Sequence, residues 1–126
     1  MRQPLALIVE DDSAIAQFLA AATTHVGYET QIVRSGEAAI DQLLAIVPDL
    51  IILDLRLPHM DGTQVLSWVR NEERFAAARV IVVSAYSEGI WEVEEQADVV
   101  LQKPLSFEQL CVLALRFRPQ AVETDA

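Results

Sequence analysis

The chain has 126 residues, 52% of them hydrophobic and 22% charged, with a formal net charge of −10 and a single cysteine, Cys111. This is the length and composition of one globular domain that buries a core without disulfide staples, and one cysteine suits a reducing, cytoplasmic setting. The acidic balance argues against nonspecific binding to nucleic acid or an anionic membrane, and no apolar run approaches the roughly 18 residues that a membrane span needs.

Leu5 to Val9 is an apolar run of strand length, closed by Glu10-Asp11-Asp12. A signal peptide is not expected, because only five apolar residues precede that acidic cluster. Ser13 or Asp12 can cap a first helix, whose stripe is Ile15, Phe18, Leu19, Ala22 and Val26. Gly27 stops it, and Tyr28 to Arg34 reads as a less apolar strand near a sheet edge. Ser35-Gly36-Glu37 opens a second helix with Ile40, Leu43, Leu44 and Val47 inward, ended by Pro48.

Leu50 to Leu53 is an unbroken apolar run, as in a parallel strand covered on both faces, and Asp54 stands at its end. Pro58 to Gly62 is a turn, and Thr63 to about Arg74 a third helix with Val65, Leu66 and Val69 inward. Val80 to Val83 is a β-branched strand with Ser84 at its carboxyl end. Ser87 to Gln96 is a weak fourth helix that exposes Ile90 and Trp91. Asp98 to Leu101 is the last strand, followed by Gln102-Lys103-Pro104, whose X-Pro bond is a candidate for cis. Ser106 and Gln109 have capping-box spacing, Leu105 and Leu110 form a staple, and Leu110, Leu113, Ala114 and Phe117 line the closing helix up to Pro119.

Five alternations of strand and helix with short connections predict a doubly wound parallel sheet with helices on both faces. Every strand-to-helix junction then lies on one edge, where such sheets open their ligand crevice. Glu10, Asp11, Asp54, Ser84 and Lys103 all stand at such junctions. Carboxylates gathered in one crevice repel, and a hard divalent ion relieves this; Mg2+ suits few carboxylates plus waters and phosphate oxygens. Asp12 is better read as a helix cap than as a ligand. Lys103 is the only lysine beside eight arginines, and its compact ammonium serves as a point charge for phosphate. With a carboxylate nucleophile, a metal ion and the Ser84 hydroxyl, the set is suited to phosphoryl transfer. His25 and His59 have no metal spacing and read as surface residues.

The motifs Ile8-Val9-Glu10-Asp11-Asp12, Leu53-Asp54-Leu55-Arg56-Leu57-Pro58-His59-Met60-Asp61-Gly62, Val82-Val83-Ser84-Ala85 and Lys103-Pro104 resemble the receiver domain of bacterial two-component response regulators. The resemblance runs from about Leu5 to Phe117. It implies a flavodoxin-like (βα)5 fold with a five-stranded sheet in the order 2-1-3-4-5, in a receiver domain over residues 1–119 with a short acidic tail at 120–126. It further implies that Asp54 takes a phosphoryl group from a sensor histidine kinase or a histidine phosphotransfer protein, with a conformational change relaying the signal. Glu10, Asp11, Asp54 and the backbone carbonyl of Arg56 would hold Mg2+, Ser84 would move onto the phosphate and Lys103 would pair with it. No separate substrate turnover and no direct DNA binding are expected. A homodimer or effector contact is expected through the fourth and fifth helices and the fifth strand, where Val112, Leu115, Ile90 and Trp91 offer apolar surface.

Two positions depart from the family pattern: Val100 replaces the usual aromatic three residues before the lysine, and Gln96 replaces the usual glycine. Val100 keeps open the alternative of a degenerate receiver that binds proteins without phosphorylation. A flavodoxin-like cofactor binder would want a Ser/Thr/Gly-rich phosphate loop where Glu10-Asp11-Asp12 stands. A phosphohydrolase would want a second acid where Arg56 stands.

Overall fold

The computed structural model describes residues 2–85 and 93–119. Parallel strands β1 (Leu5–Val9), β2 (Glu29–Val33), β3 (Leu50–Asp54), β4 (Arg79–Ser84) and β5 (Val99–Gln102) form one sheet in the order β2-β1-β3-β4-β5. Around it lie α1 (Ser13–His25), α2 (Gly36–Ala45), α3 (Gly62–Arg70), a 3-10 turn (Glu73–Phe75) and a C-terminal helix (Phe107–Arg116).

The apolar strands feed two cores through their two-residue period. Leu50 and Ile52 join Ala6, Ile8, Ile81 and Val83 beneath α1 and the C-terminal helix, which contribute Leu19, Ala22, Leu110 and Ala114. Ile51 and Leu53 join Leu7, Val9, Val80 and Val82 beneath α2 and α3, which contribute Ala39, Leu43, Val65, Leu66 and Val69. Strand β2, with its polar Glu29, Thr30 and Gln31, takes an outer place in the sheet.

Helix ends follow their local chemistry, with some corrections to the sequence reading. Asp12 caps α1 by accepting the Ile15 N–H at 3.0 Å, so the cap is Asp12 rather than Ser13. Gly27, at φ +99°, supplies the left-handed turn that ends it. Helix α2 starts as expected, with Ser35 Oγ accepting the Ala38 N–H, but it stops at Ala45. Ile46 is already extended, two residues before Pro48, which disfavours helical backbone at its own predecessor. Leu44 and Val47 are therefore 61% and 47% exposed rather than in a core stripe, and Ala39 and Leu43 make the inward contact.

Helix α3 runs from Gly62 to Arg70, not from Thr63 to Arg74; the 3-10 turn that follows drives Phe75 into the core. Strand β5 starts at Val99 because Asp98 is a side-chain anchor: it accepts the Val80 N–H at 2.7 Å and pairs with Arg70 and Arg79. Of the weak helix expected over 87–96, Val93 and Glu94 are helical, while Ile90 and Trp91 lie outside the described residues. Ser106 caps the C-terminal helix through the Gln109 N–H; Leu110 and Ala114 are buried, with Leu113 and Phe117 half-buried beside them.

In a parallel sheet crossed by helices, the helix N-termini collect on the carboxyl edge. The far edge holds the helix ends and the arginines Arg2, Arg70, Arg74, Arg79 and Arg116.

Candidate functional site

The register places the acids. Val9 pairs with Leu53, so one step further sets Glu10 beside Asp54, and the strand period points both to the face that Ala6, Ile8, Leu50 and Ile52 share. Asp54 is the last residue of β3, Ser84 the last of β4, and Lys103 follows β5 directly. Glu10, Asp54 and Ser84 are buried, and Asp11 is exposed at the mouth. Glu10, Asp11 and Asp54 each bring a carboxylate oxygen to within 4.8 Å of the others. The sequence expectation that these junctions converge is met in space.

The hydrogen bonding orients both buried carboxylates. Asp54 Oδ1 accepts the Arg56 N–H at 3.0 Å, and Oδ2 faces the Lys103 ammonium at 3.4 Å. Glu10 Oε2 accepts the Asp12 N–H at 3.1 Å. Among the described residues its Oε1 has no hydrogen-bond partner, and it lies 3.7 Å from Lys103 Nζ. Burial pushes the Glu10 carboxyl up to about 7; the Asp12 N–H pulls against this, and the nearby Asp54 charge adds to it. A buried acid with an orphaned oxygen, close to two more carboxylates, is a set of hard donors with unmet electrostatic demand. That set fits a divalent cation of the magnesium type.

Two backbone hydrogen bonds brace this arrangement. The Lys103 N–H donates to the Ser84 carbonyl at 2.8 Å, tying the exit of β5 to the end of β4, and the Lys103–Pro104 bond is cis. Gly62 donates its N–H to Leu55 O at 3.0 Å, and a Cβ at Gly62 would collide with the backbone of Asp54 and Leu55. Spacing alone marks Gly62 as a turn residue; the structure adds that it is the contact that lets α3 approach the end of β3. Arg56, two residues after Asp54, is exposed. His25 lies beside the Phe107 ring and His59 in the loop after β3, and neither joins the acid cluster. Val100, at the departure from the aromatic pattern, packs against the α2–α3 core.

The fold and the crevice together define a doubly wound α/β domain with a carboxylate cluster and one lysine at its carboxyl edge. The chain belongs to the response regulator receiver domain family, whose model matches residues 6–114. It is similar to the response regulator ArlR of Staphylococcus haemolyticus, 36% identical over 120 residues that cover 90% of this chain and 53% of that protein. Among solved structures it resembles the signal receiver domain of a signal transduction histidine kinase from Syntrophus aciditrophicus, with TM-score 0.82, 28% identity and coverage of 98% and 99%. The receiver domain of the Francisella response regulator 1452 aligns with TM-score 0.80, 26% identity and coverage of 90% and 95%. The chain spans about half the length of the first curated relatives it matches. Receiver domains of response regulators are signalling modules. No described helix is long and apolar enough to cross a membrane.

Proposed function

We propose that the chain accepts a phosphoryl group on Asp54 from the phosphohistidine of a sensor kinase or phosphotransfer protein, and relays the signal by a change in conformation. The observation that carries this is the Lys103 ammonium set 3.4 Å from Asp54 Oδ2 and 3.7 Å from Glu10 Oε1, beside three clustered carboxylates. A carboxylate oxygen of Asp54 attacks phosphorus as the P–N bond to the donor imidazole breaks. The electron pair stays on that nitrogen, and the product is an acyl phosphate. The ammonium of Lys103 stabilises the phosphoryl oxygens, and Ser84 supplies a hydroxyl from the end of β4. Glu10, Asp11, Asp54 and the Arg56 carbonyl would hold Mg2+, whose charge supplies electrostatic stabilisation of the transferring group. Residues 1–119 form the receiver unit in this reading, with 120–126 as an acidic tail.

The groove beside Lys103 supports a protein donor. Ala14, Ile15 and Phe18 of α1 face Pro104 and Leu105 across it, next to the nucleophile. The complete set of acids, lysine and hydroxyl at one edge favours this reading over a phosphorylation-independent binding module.

The test is labelling by acetyl phosphate with and without magnesium. Wild-type protein should label with magnesium, and Asp54→Asn should lose the label. Full labelling of Asp54→Asn would move the acceptor elsewhere, with Asp11 the next candidate.

A further inference from the structure

Two segments meet at the acids of the crevice: the β1–α1 junction, which carries Glu10 and Asp11, and residues 55–61, which leave the end of β3 directly after Asp54. A third junction, Val33 to Gly36 between β2 and α2, supplies no group to phosphoryl chemistry, yet it touches both. On one side Val33 O accepts the Glu10 N–H at 3.0 Å, and Arg34 Nη2 reaches Ser13 Oγ at 3.4 Å. On the other side the Met60 side chain lies across Gly36. A Cβ built on Gly36 would stand 2.9 Å from Met60 Cβ and Cγ and 3.0 Å from its sulfur.

The reason for glycine at position 36 is informative. Its φ lies outside the left-handed range, so backbone freedom does not require it. It opens α2 directly after the Ser35 cap, where alanine is the better helix former. What remains is space: glycine is there because Met60 occupies the room of a side chain. Met60 in turn belongs to a compact loop. Its N–H donates to Pro58 O at 2.7 Å, and the Gly62 N–H closes on Leu55 O at 3.0 Å, so the segment is closed on itself by its own hydrogen bonds. That loop holds Asp54 through the Arg56 N–H.

We propose that Met60, seated on Gly36, is a positioning residue that sets the spacing between the Glu10–Asp11 pair and Asp54, and through it the affinity for magnesium. This rests on the reading of the crevice as a magnesium-dependent phosphoryl site. The β2–α2 junction acts as a spacer between the Glu10–Asp11 junction and the segment that leaves Asp54. A wedge at Gly36 pushes the Met60 loop outward while Glu10 stays bound to Val33.

The experiment is calorimetric titration of the full chain with magnesium chloride, for wild type, Gly36→Ala, Met60→Ala and the double variant, with Asp11→Asn reporting where the ion sits. Gly36→Ala should weaken magnesium binding about fivefold or more, within the coupling range of touching residues. Met60→Ala should weaken it as well, and the double variant should bind no more weakly than Gly36→Ala, because one contact is lost only once. Thermal melting without magnesium should fall in Gly36→Ala, where the new Cβ meets Met60, and recover in the double variant, where that clash is relieved; no recovery would overturn the contact. Wild-type affinity in Gly36→Ala, or losses that simply add in the double variant, would overturn the proposal. Should Gly36→Ala not fold, Met60→Ala decides alone, and wild-type affinity there overturns it. A wild type that gives no magnesium heat, or an Asp11→Asn that binds equally well, overturns the crevice reading and the spacer with it.

Discussion

Asp49 shows how little a residue type says before its neighbours are known. In the sequence it is an acid before a strand; in the structure its carboxylate accepts the Leu5 N–H at 2.8 Å and pairs with the Arg2 guanidinium at 2.7 Å. Burial alone would raise its pKa, but the Arg2 hydrogen bond and the Leu5 N–H outweigh it and hold the group below its ordinary value. The two partners are not equal in stability terms. Arg2 is 66% exposed, so its pair contributes about 0–1 kcal/mol, whereas stranding the half-buried Leu5 N–H costs about 1–3 kcal/mol. Denaturant unfolding should therefore find Asp49→Ala clearly destabilised and Arg2→Ala nearly neutral. Because the folded-state pKa is depressed, this stability is present above the unfolded value of about 3.9 and is lost as pH falls through the folded one. Asp49→Asn should flatten that acid limb; an unchanged acid limb would show that another carboxylate sets it. Tyr28 gives the opposite edge. Burial pushes its phenol up to about 12, and its hydroxyl donates to Ala114 O at 2.7 Å, so this contribution persists below about pH 10 and is lost as pH rises through about 12.

Among the elements, strands were the most legible, because Leu50–Leu53 and Val80–Val83 can be stable only where both faces are covered. Helix starts were nearly as clear, since Ser35 and Ser106 announce their caps. Helix ends and faces were less so. The α2 stripe is ambiguous because Leu43 and Leu44 look alike in sequence, and only the close seat of Gly36 and Ala39 decides which one turns inward. Leu43→Ala should accordingly cost about 2–5 kcal/mol, and Leu44→Ser less than about 0.5 kcal/mol. Similar losses by chemical denaturation would contradict the observed orientation of α2. The 3-10 turn at Glu73–Phe75 carries no periodic signal, so its sequence was absorbed into the preceding helix. The site was legible because its residues are consecutive with strand ends. The contacts of Gly62 with the end of β3 and of Met60 with Gly36 are not, because close approach leaves no trace in spacing. The α1 groove offers an element-level test of the donor: Ala14→Arg places bulk at an exposed position. It should block transfer from a phosphorylated protein donor while leaving acetyl phosphate labelling unchanged. Equal loss with both donors would place Ala14 in the chemistry instead of at a docking face.

On the scale of the whole molecule, three clustered carboxylates in a chain of net charge −10 store repulsion that a bound cation relieves. Melting temperature should rise with magnesium in the wild type and stay flat in Asp11→Asn; an equal rise in both would put the ion outside the crevice. The placement of the arginines along the far edge has a kinetic meaning as well. In the proposed reaction the incoming phosphodonor is itself an anion, and it would arrive at the edge that carries Glu10, Asp11, Asp12 and Asp54, away from most of the positive charge. The long-range field of the protein would thus slow the encounter that the proposed chemistry requires. Added inert salt, which weakens most charged associations, should quicken labelling of this protein by acetyl phosphate at saturating magnesium. A rate that falls with ionic strength would mean that the helix N-termini and Lys103, not the acids, govern the approach.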